Sequence, residues 1–180
     1  MKNKSLNILI SVFCSLAILV GITLSPTTAL AEQKDTSLVT KISVENAINP
    51  SKPQAGKFFS KLNPTQPFIM VNLLKFKEKA EYGTTETKII SGAQAYQKYL
   101  DEVQGLLQKY DVQLFSDLNT VDLLIGKIPE DELWDRILLV RYPSLETFQK
   151  ITQEPVFKNA RIHRMAGLAG QLNIGTIANE

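Results

Sequence analysis

Two stretches of the chain are apolar on both faces of an extended backbone. PFIMVNLLKF, residues 67–76, reads as a buried strand. The two-residue period puts Phe68, Met70, Asn72, Leu74 and Phe76 on one side and Ile69, Val71, Leu73 and Lys75 on the other. ILLVRY, residues 137–142, repeats the pattern, and Pro143 ends it. Between them lies a helix. Ser91 and Gln94 form a capping box at its start, and Tyr96, Leu100, Val103, Leu107 and Tyr110 recur at spacings of three and four. The tyrosines read as core packing with wet hydroxyls. Residues 112–126 read as a strand interrupted by a bulge or bend around 117–120.

After Pro143, Ser144 is an N-cap and Glu146 sits in the first turn, where the helix dipole favours it. Leu145, Phe148 and Ile151 give that helix a buried side. Pro155 restarts a second helical segment, which carries Phe157, Ala160 and the ARIHRMAG stretch and is expected to end at Gly170. A final strand then spans 171–178. A short helix is expected over 56–62, before Pro64 and Pro67.

The order strand, helix, strand, strand, helix, strand defines an α+β, ferredoxin-like βαββαβ sandwich. Its helices cover one face of the sheet. Strands apolar on both faces therefore need a second cover, because a large bare apolar sheet is uncommon in a monomer. A second copy of the same sheet is the economical one, so the expectation is a C2 homodimer packed sheet face to sheet face, a dimeric α/β barrel.

The N-terminus changes the compartment. Lys2 and Lys4 precede an apolar run from Leu6 to about Leu24, then Pro26 and Ala29-Leu30-Ala31. This is a signal peptide, residues 1–31, cleaved after Ala31; the alternative is an uncleaved N-terminal membrane anchor. The mature protein is then periplasmic or secreted. Residues 32–53 are polar and aperiodic and read as a flexible tether, leaving 54–180 as one domain. Cys14 departs with the signal, so no disulfide or thiolate remains. The chain holds 20 Lys and Arg against 18 Asp and Glu, and the excess is Lys2 and Lys4. A neutral mature chain gives no electrostatic ground for binding nucleic acid.

Four stretches together resemble the bacterial domain-of-unknown-function 1330 family: MVNLLKFK (70–77), LLIG (123–126), WDRILLVRYPS (134–144) and HRMAGLAGQL (163–172). The resemblance runs from about Phe58 to Ala178. It implies a dimeric α/β barrel of ferredoxin-like protomers. The wider superfamily includes small monooxygenases, isomerases and haem-handling enzymes; the family itself has no established activity.

Polar side chains on this apolar scaffold are the candidate site: Asn72, His163, Arg164, Tyr142 and Tyr82, in that order. Asn72 is mid-strand among apolar neighbours, so its amide is either bonded structurally or lines a pocket. His163 is the one histidine of the chain, which excludes a multi-histidine metal site. Arg164 pairs with a carboxylate of the protein or of a ligand. No phosphate-loop or dinucleotide pattern occurs, and neither a cofactor nor a metal is expected. The function read from this is binding of a small, partly apolar molecule in a cleft between sheet and helices. The alternatives are a cofactor-independent monooxygenase- or isomerase-like enzyme, with His163 as base or Asn72 holding an oxyanion, and an interaction module without ligand.

Overall fold

The computed structural model describes residues 44–83 and 89–178. Residues 1–31, read from sequence as a signal peptide, the first part of the segment read as a tether, residues 84–88 and the last two residues lie outside the described residues. Helix α1 (Lys52–Phe59) leads into strand β1 (Phe68–Phe76), helix α2 (Gly92–Lys109) and strand β2 (Gln113–Asn119). Strand β3 (Arg136–Tyr142), helices α3 (Leu145–Gln153) and α4 (Pro155–Gly167) and strand β4 (Leu168–Thr176) complete the domain. The sheet order is β2-β3-β1-β4, and all three pairings are antiparallel. This is the ferredoxin-like α+β topology, with the two apolar strands β1 and β3 at its centre. No helix among the described residues is long and apolar enough to cross a membrane.

Local chemistry sets the helix ends. Ser91 Oγ accepts from the Gln94 amide at 3.1 Å while Gln94 Oε1 accepts from the Ser91 amide at 2.9 Å, so both orphan donors are used. Ser144 caps α3 through the Thr147 amide at 3.0 Å. Pro155 opens α4, where its missing N–H costs nothing.

Four boundaries differ from the sequence reading. Helix α1 begins at Lys52 and stops at Phe59, because Ser51 caps it and Pro53 fits its first turn. Helix α4 ends at Gly167 rather than Gly170, and β4 starts at once, at Leu168. Strand β2 stops at Asn119, and its bulge falls between Leu114 and Ser116, ahead of the expected interruption. The stretch read as a tether is tied down from Asn46 onward. Ala47 exchanges backbone hydrogen bonds with Gln171 at 3.1 and 3.2 Å, and Asn46 Oδ1 accepts from Trp134 Nε1 at 2.9 Å. Asn49 accepts from Arg161 at 3.1 Å. An edge strand with free backbone groups is what lets this polar segment dock.

The core sits between one face of the sheet and the helices. Leu74, Leu138, Val140 and Leu168 of the sheet pack with Tyr96, Leu106 and Ile151 of the helices. Each fully buried leucine or isoleucine there contributes roughly 1.5–3 kcal/mol. The opposite face carries Ile69, Val71, Leu73, Ile137, Leu139, Leu172 and Ile174, set side by side by the strand register. None of these residues belongs to the buried core, and Ile174 is 49% exposed.

Candidate functional site

Helix α2, helix α4 and the end of β3 bring four polar side chains into the layer between helices and sheet. Tyr96 and Tyr99 lie three residues apart on α2, hence on one face, with ring centroids 5.4 Å apart. The Tyr96 ring also meets Phe76 at 5.6 Å, and the Tyr99 ring meets Phe157 edge-on at 6.2 Å. Tyr142 ends β3; its ring stacks on Phe68 at 5.2 Å and meets Phe148 edge-on at 5.1 Å. Arg164, in the last turn of α4, donates through Nη2 to the carbonyl of Ile48.

The electrostatics tie these groups together. Burial pushes the hydroxyl pKa of Tyr96, Tyr99 and Tyr142 above the usual tyrosine value. Tyr99 adds to the rise at both Tyr96 and Tyr142, while the Arg164 charge partly offsets it at Tyr96 and Tyr99. Burial in turn lowers the Arg164 pKa. The three hydroxyls are therefore neutral donors near a desolvated cation.

Among the described residues, none of these three hydroxyls has a hydrogen-bond partner, and no carboxylate pairs with Arg164. Thr120 Oγ1 is the one side-chain atom among them that is both sealed from solvent and unpartnered. The tyrosine oxygens therefore still open onto space, although Tyr96 as a residue is only 4% exposed. Buried tyrosines ordinarily find a partner. Arg136, on the same side of the sheet, has one: Asp117 takes its guanidinium and Gln97 a further N–H.

The five residues singled out from sequence fall into separate groups. Tyr142 and Arg164 share the interior layer. Tyr82 and His163 meet each other elsewhere: the Tyr82 hydroxyl lies 2.7 Å from His163 Nδ1, and His163 Nε2 lies 3.0 Å from Glu102 Oε1. This chain joins the loop after β1 to α4 and α2. Lys98 Nζ stands 5.6 Å from the Tyr82 ring centre. Beside it an open groove of about 630 Å³ runs along α4, lined by Tyr82, Lys158, Arg161, Ile162 and Met165. Asn72 belongs to neither group. Its Nδ2 donates to the backbone carbonyls of Met70 at 3.1 Å and Leu138 at 3.3 Å, which makes it a brace within the sheet. No hydrogen bond among the described residues links His163 or Tyr82 to Arg164, Tyr142 or Asn72. Nor is any group of three or more His, Cys, Asp or Glu there placed to hold a metal.

Tyr96 and Tyr99 were absent from the sequence candidates, because a tyrosine on an apolar helix face reads as core. The available signal was the pair: two phenols three residues apart, where aliphatic side chains would fill the same space without a polar atom to satisfy.

Comparison with known proteins leads to the fold. No family model matches the chain, and no curated protein does. Among solved structures, a protein of unknown function from Rhodopseudomonas palustris, RPA0582, superposes with a TM-score of 0.65 at 24% identity, over 76% of this chain and 99% of that one. The methylated RPA0582 protein gives 0.66 at 24% identity, over 75% and 96%. A dimeric protein of unknown function and ferredoxin-like fold from Bacteroides fragilis gives 0.41 at 9%, over 63% and 96%.

Proposed function

We propose that this is an exported homodimer of the domain-of-unknown-function 1330 type that binds a small, partly apolar molecule in the cleft between sheet and helices. Arg164 and Tyr142 keep their places as ligand-binding residues, and Tyr96 and Tyr99 join them. One observation carries the reading: Tyr96, Tyr99, Tyr142 and Arg164 border one layer walled by Phe68, Phe76 and Phe157, and among the described residues almost none of their hydrogen-bonding capacity is used. Polar groups left that way cost the fold stability, and a bound molecule supplies what they lack. The test is a thermal-melt screen of small organic molecules on the full mature chain. Stabilising hits are expected, and they should weaken in Tyr142→Phe and in Tyr99→Phe. Hits that ignore both substitutions would place binding elsewhere.

Self-association is part of the same reading. The uncovered sheet face is broad and apolar, with Ile174 and Leu118 each about half exposed. A second copy presents an identical surface, which a twofold axis makes self-complementary. Light scattering on residues 32–180 should give a dimer at micromolar concentration; a stable monomer would sink this part.

The Glu102–His163–Tyr82 chain favours a second reading, an enzyme of the monooxygenase or isomerase kind. A histidine bridging a carboxylate and a phenol is arranged to move a proton. Its substrate would enter from the groove along α4 rather than from the interior layer. Oxygen uptake or double-bond migration found in a substrate screen should then vanish in His163→Gln; turnover that survives would remove His163 from the chemistry.

A further inference from the structure

We infer that the molecule bound in the interior cleft is an organic monocarboxylate, its carboxylate held by Arg164 with tyrosine hydroxyls as further donors. This rests on the cleft-binding reading and names the chemical class of its ligand.

The inference comes from counting donors and acceptors. A guanidinium has five N–H donors and no acceptor. Of those five, Arg164 directs Nη2 to the carbonyl of Ile48. That carbonyl is already approached by Gln171 Nε2 at 3.4 Å, so Arg164 is not there to satisfy it alone. No Asp or Glu among the described residues reaches Arg164. Phe157 and Arg164 lie seven residues apart on one face of α4. Phe157 meets Tyr99 at 6.2 Å, Tyr99 meets Tyr96 at 5.4 Å, and Ile48, which Arg164 bonds, packs against the cluster that holds Tyr96. Both phenols therefore border the guanidinium's layer, protonated and without an acceptor among the described residues. A site rich in donors and positively charged recognises a group that only accepts and is negative. A carboxylate has two oxygens for the planar fork of an arginine and lone pairs left for phenolic O–H groups. Arg161, whose charge also acts on Tyr99 and Arg164, is exposed and donates to Asn49 Oδ1 at 3.1 Å. Arg164 is thus the one half-buried cation left for the ligand, which matches one negative charge rather than the two of a phosphate monoester. Arg136 adds no free charge, since Asp117 neutralises it. The walls name the rest of the ligand: Phe76 and Phe157 flank the two tyrosines, and Phe68 lies against Tyr142. The body attached to the carboxylate is therefore apolar or aromatic.

The experiment is calorimetry on the full mature chain with matched pairs that differ only in charge: phenylacetate against phenylacetamide, and octanoate against octanamide, with inorganic phosphate as a small-anion control. At least one carboxylate should bind about tenfold or more tighter than its amide, as expected for a desolvated charge pair. Phosphate should not compete at equal concentration. Arg164→Gln should bring the carboxylate down to the level of the amide. Arg164→Lys, which keeps charge without the fork, should retain part of the preference. Equal binding of acid and amide, or a preference that survives Arg164→Gln, overturns the carboxylate assignment and leaves cleft binding standing. If no member of either pair binds, the carboxylate assignment falls. If the thermal-melt screen is also empty, cleft binding falls with it.

Discussion

Gly92 and Gly167 touch backbone to backbone: a Cβ on either would lie 2.4 Å from the carbonyl oxygen of the other. The contact locks the start of α2 against the end of α4. Lys77, just after β1, bonds to both, donating to the Gly167 carbonyl at 2.9 Å and accepting from the Gly92 amide at 3.0 Å. Three elements are thus fixed at the point where α4 gives way to β4. Arg164 lies one turn before that point, so the crossing also sets where its side chain enters the interior.

Neither glycine should tolerate a methyl group. The obstructing atoms are backbone, which cannot swing away as a flexible side chain can. Gly92→Ala and Gly167→Ala should each destabilise by roughly 1–3 kcal/mol or more. Gly105, exposed in mid-helix with open space around its Cα, is the control. Gly105→Ala should stabilise by about 0.5–1 kcal/mol through helix propensity. Chemical denaturation of the three variants measures this, and equal effects would show that the crossing is not tight.

Asn72 should matter to the fold and not to the ligand. Replacing it with alanine deletes both donations, to Met70 and to Leu138, and strips the two carbonyls of those contacts. The expected loss is about 1–3 kcal/mol in denaturation. Affinity for any molecule that stabilises the parent protein should stay within about twofold, well under the tenfold that 1.4 kcal/mol represents.

Alkaline pH should probe the interior tyrosines. Their pKa values are raised by folding, so their contribution to stability is complete below the ordinary tyrosine value of 10.0 and is lost as pH rises above it. Absorbance at 295 nm should show Tyr96, Tyr99 and Tyr142 ionising late, together with unfolding. Phenylalanine at Tyr142 should make stability less dependent on pH in that range. Free titration of all five tyrosines near pH 10 in folded protein would contradict the buried cluster.

Much of this architecture is legible in the chain because it is local. The Ser91–Gln94 capping box, the Ser144 cap, the proline at the head of α4 and the two strands apolar on both faces all depend on near neighbours. They led directly to the ferredoxin-like order. What stayed hidden depends on distant residues. The end of α4 at Gly167 needs Gly92, 75 positions earlier. The anchoring of Asn46 to Ile48 needs β4 and Trp134. For Asn72 the sequence left a structural amide and a pocket lining both open, because its acceptors are backbone atoms, which no side-chain pattern announces. His163 and Arg164 are adjacent in sequence, yet one helical step of about 100° sends one to Glu102 and Tyr82 and the other toward Ile48.

The central claim is that Arg164 is kept for a ligand and not for the fold. Its direct test is the melting temperature of ligand-stripped Arg164→Met against the parent. A desolvated cation without a carboxylate weakens a protein, and an apolar side chain of similar volume is often neutral or stabilising by about 1–4 kcal/mol. The variant should therefore melt at the same temperature or higher, by about 2–4 °C for each kcal/mol gained. A fall matching the 3–5 kcal/mol lost when a buried ion pair is broken would show that Arg164 holds the structure together, and would contradict the account.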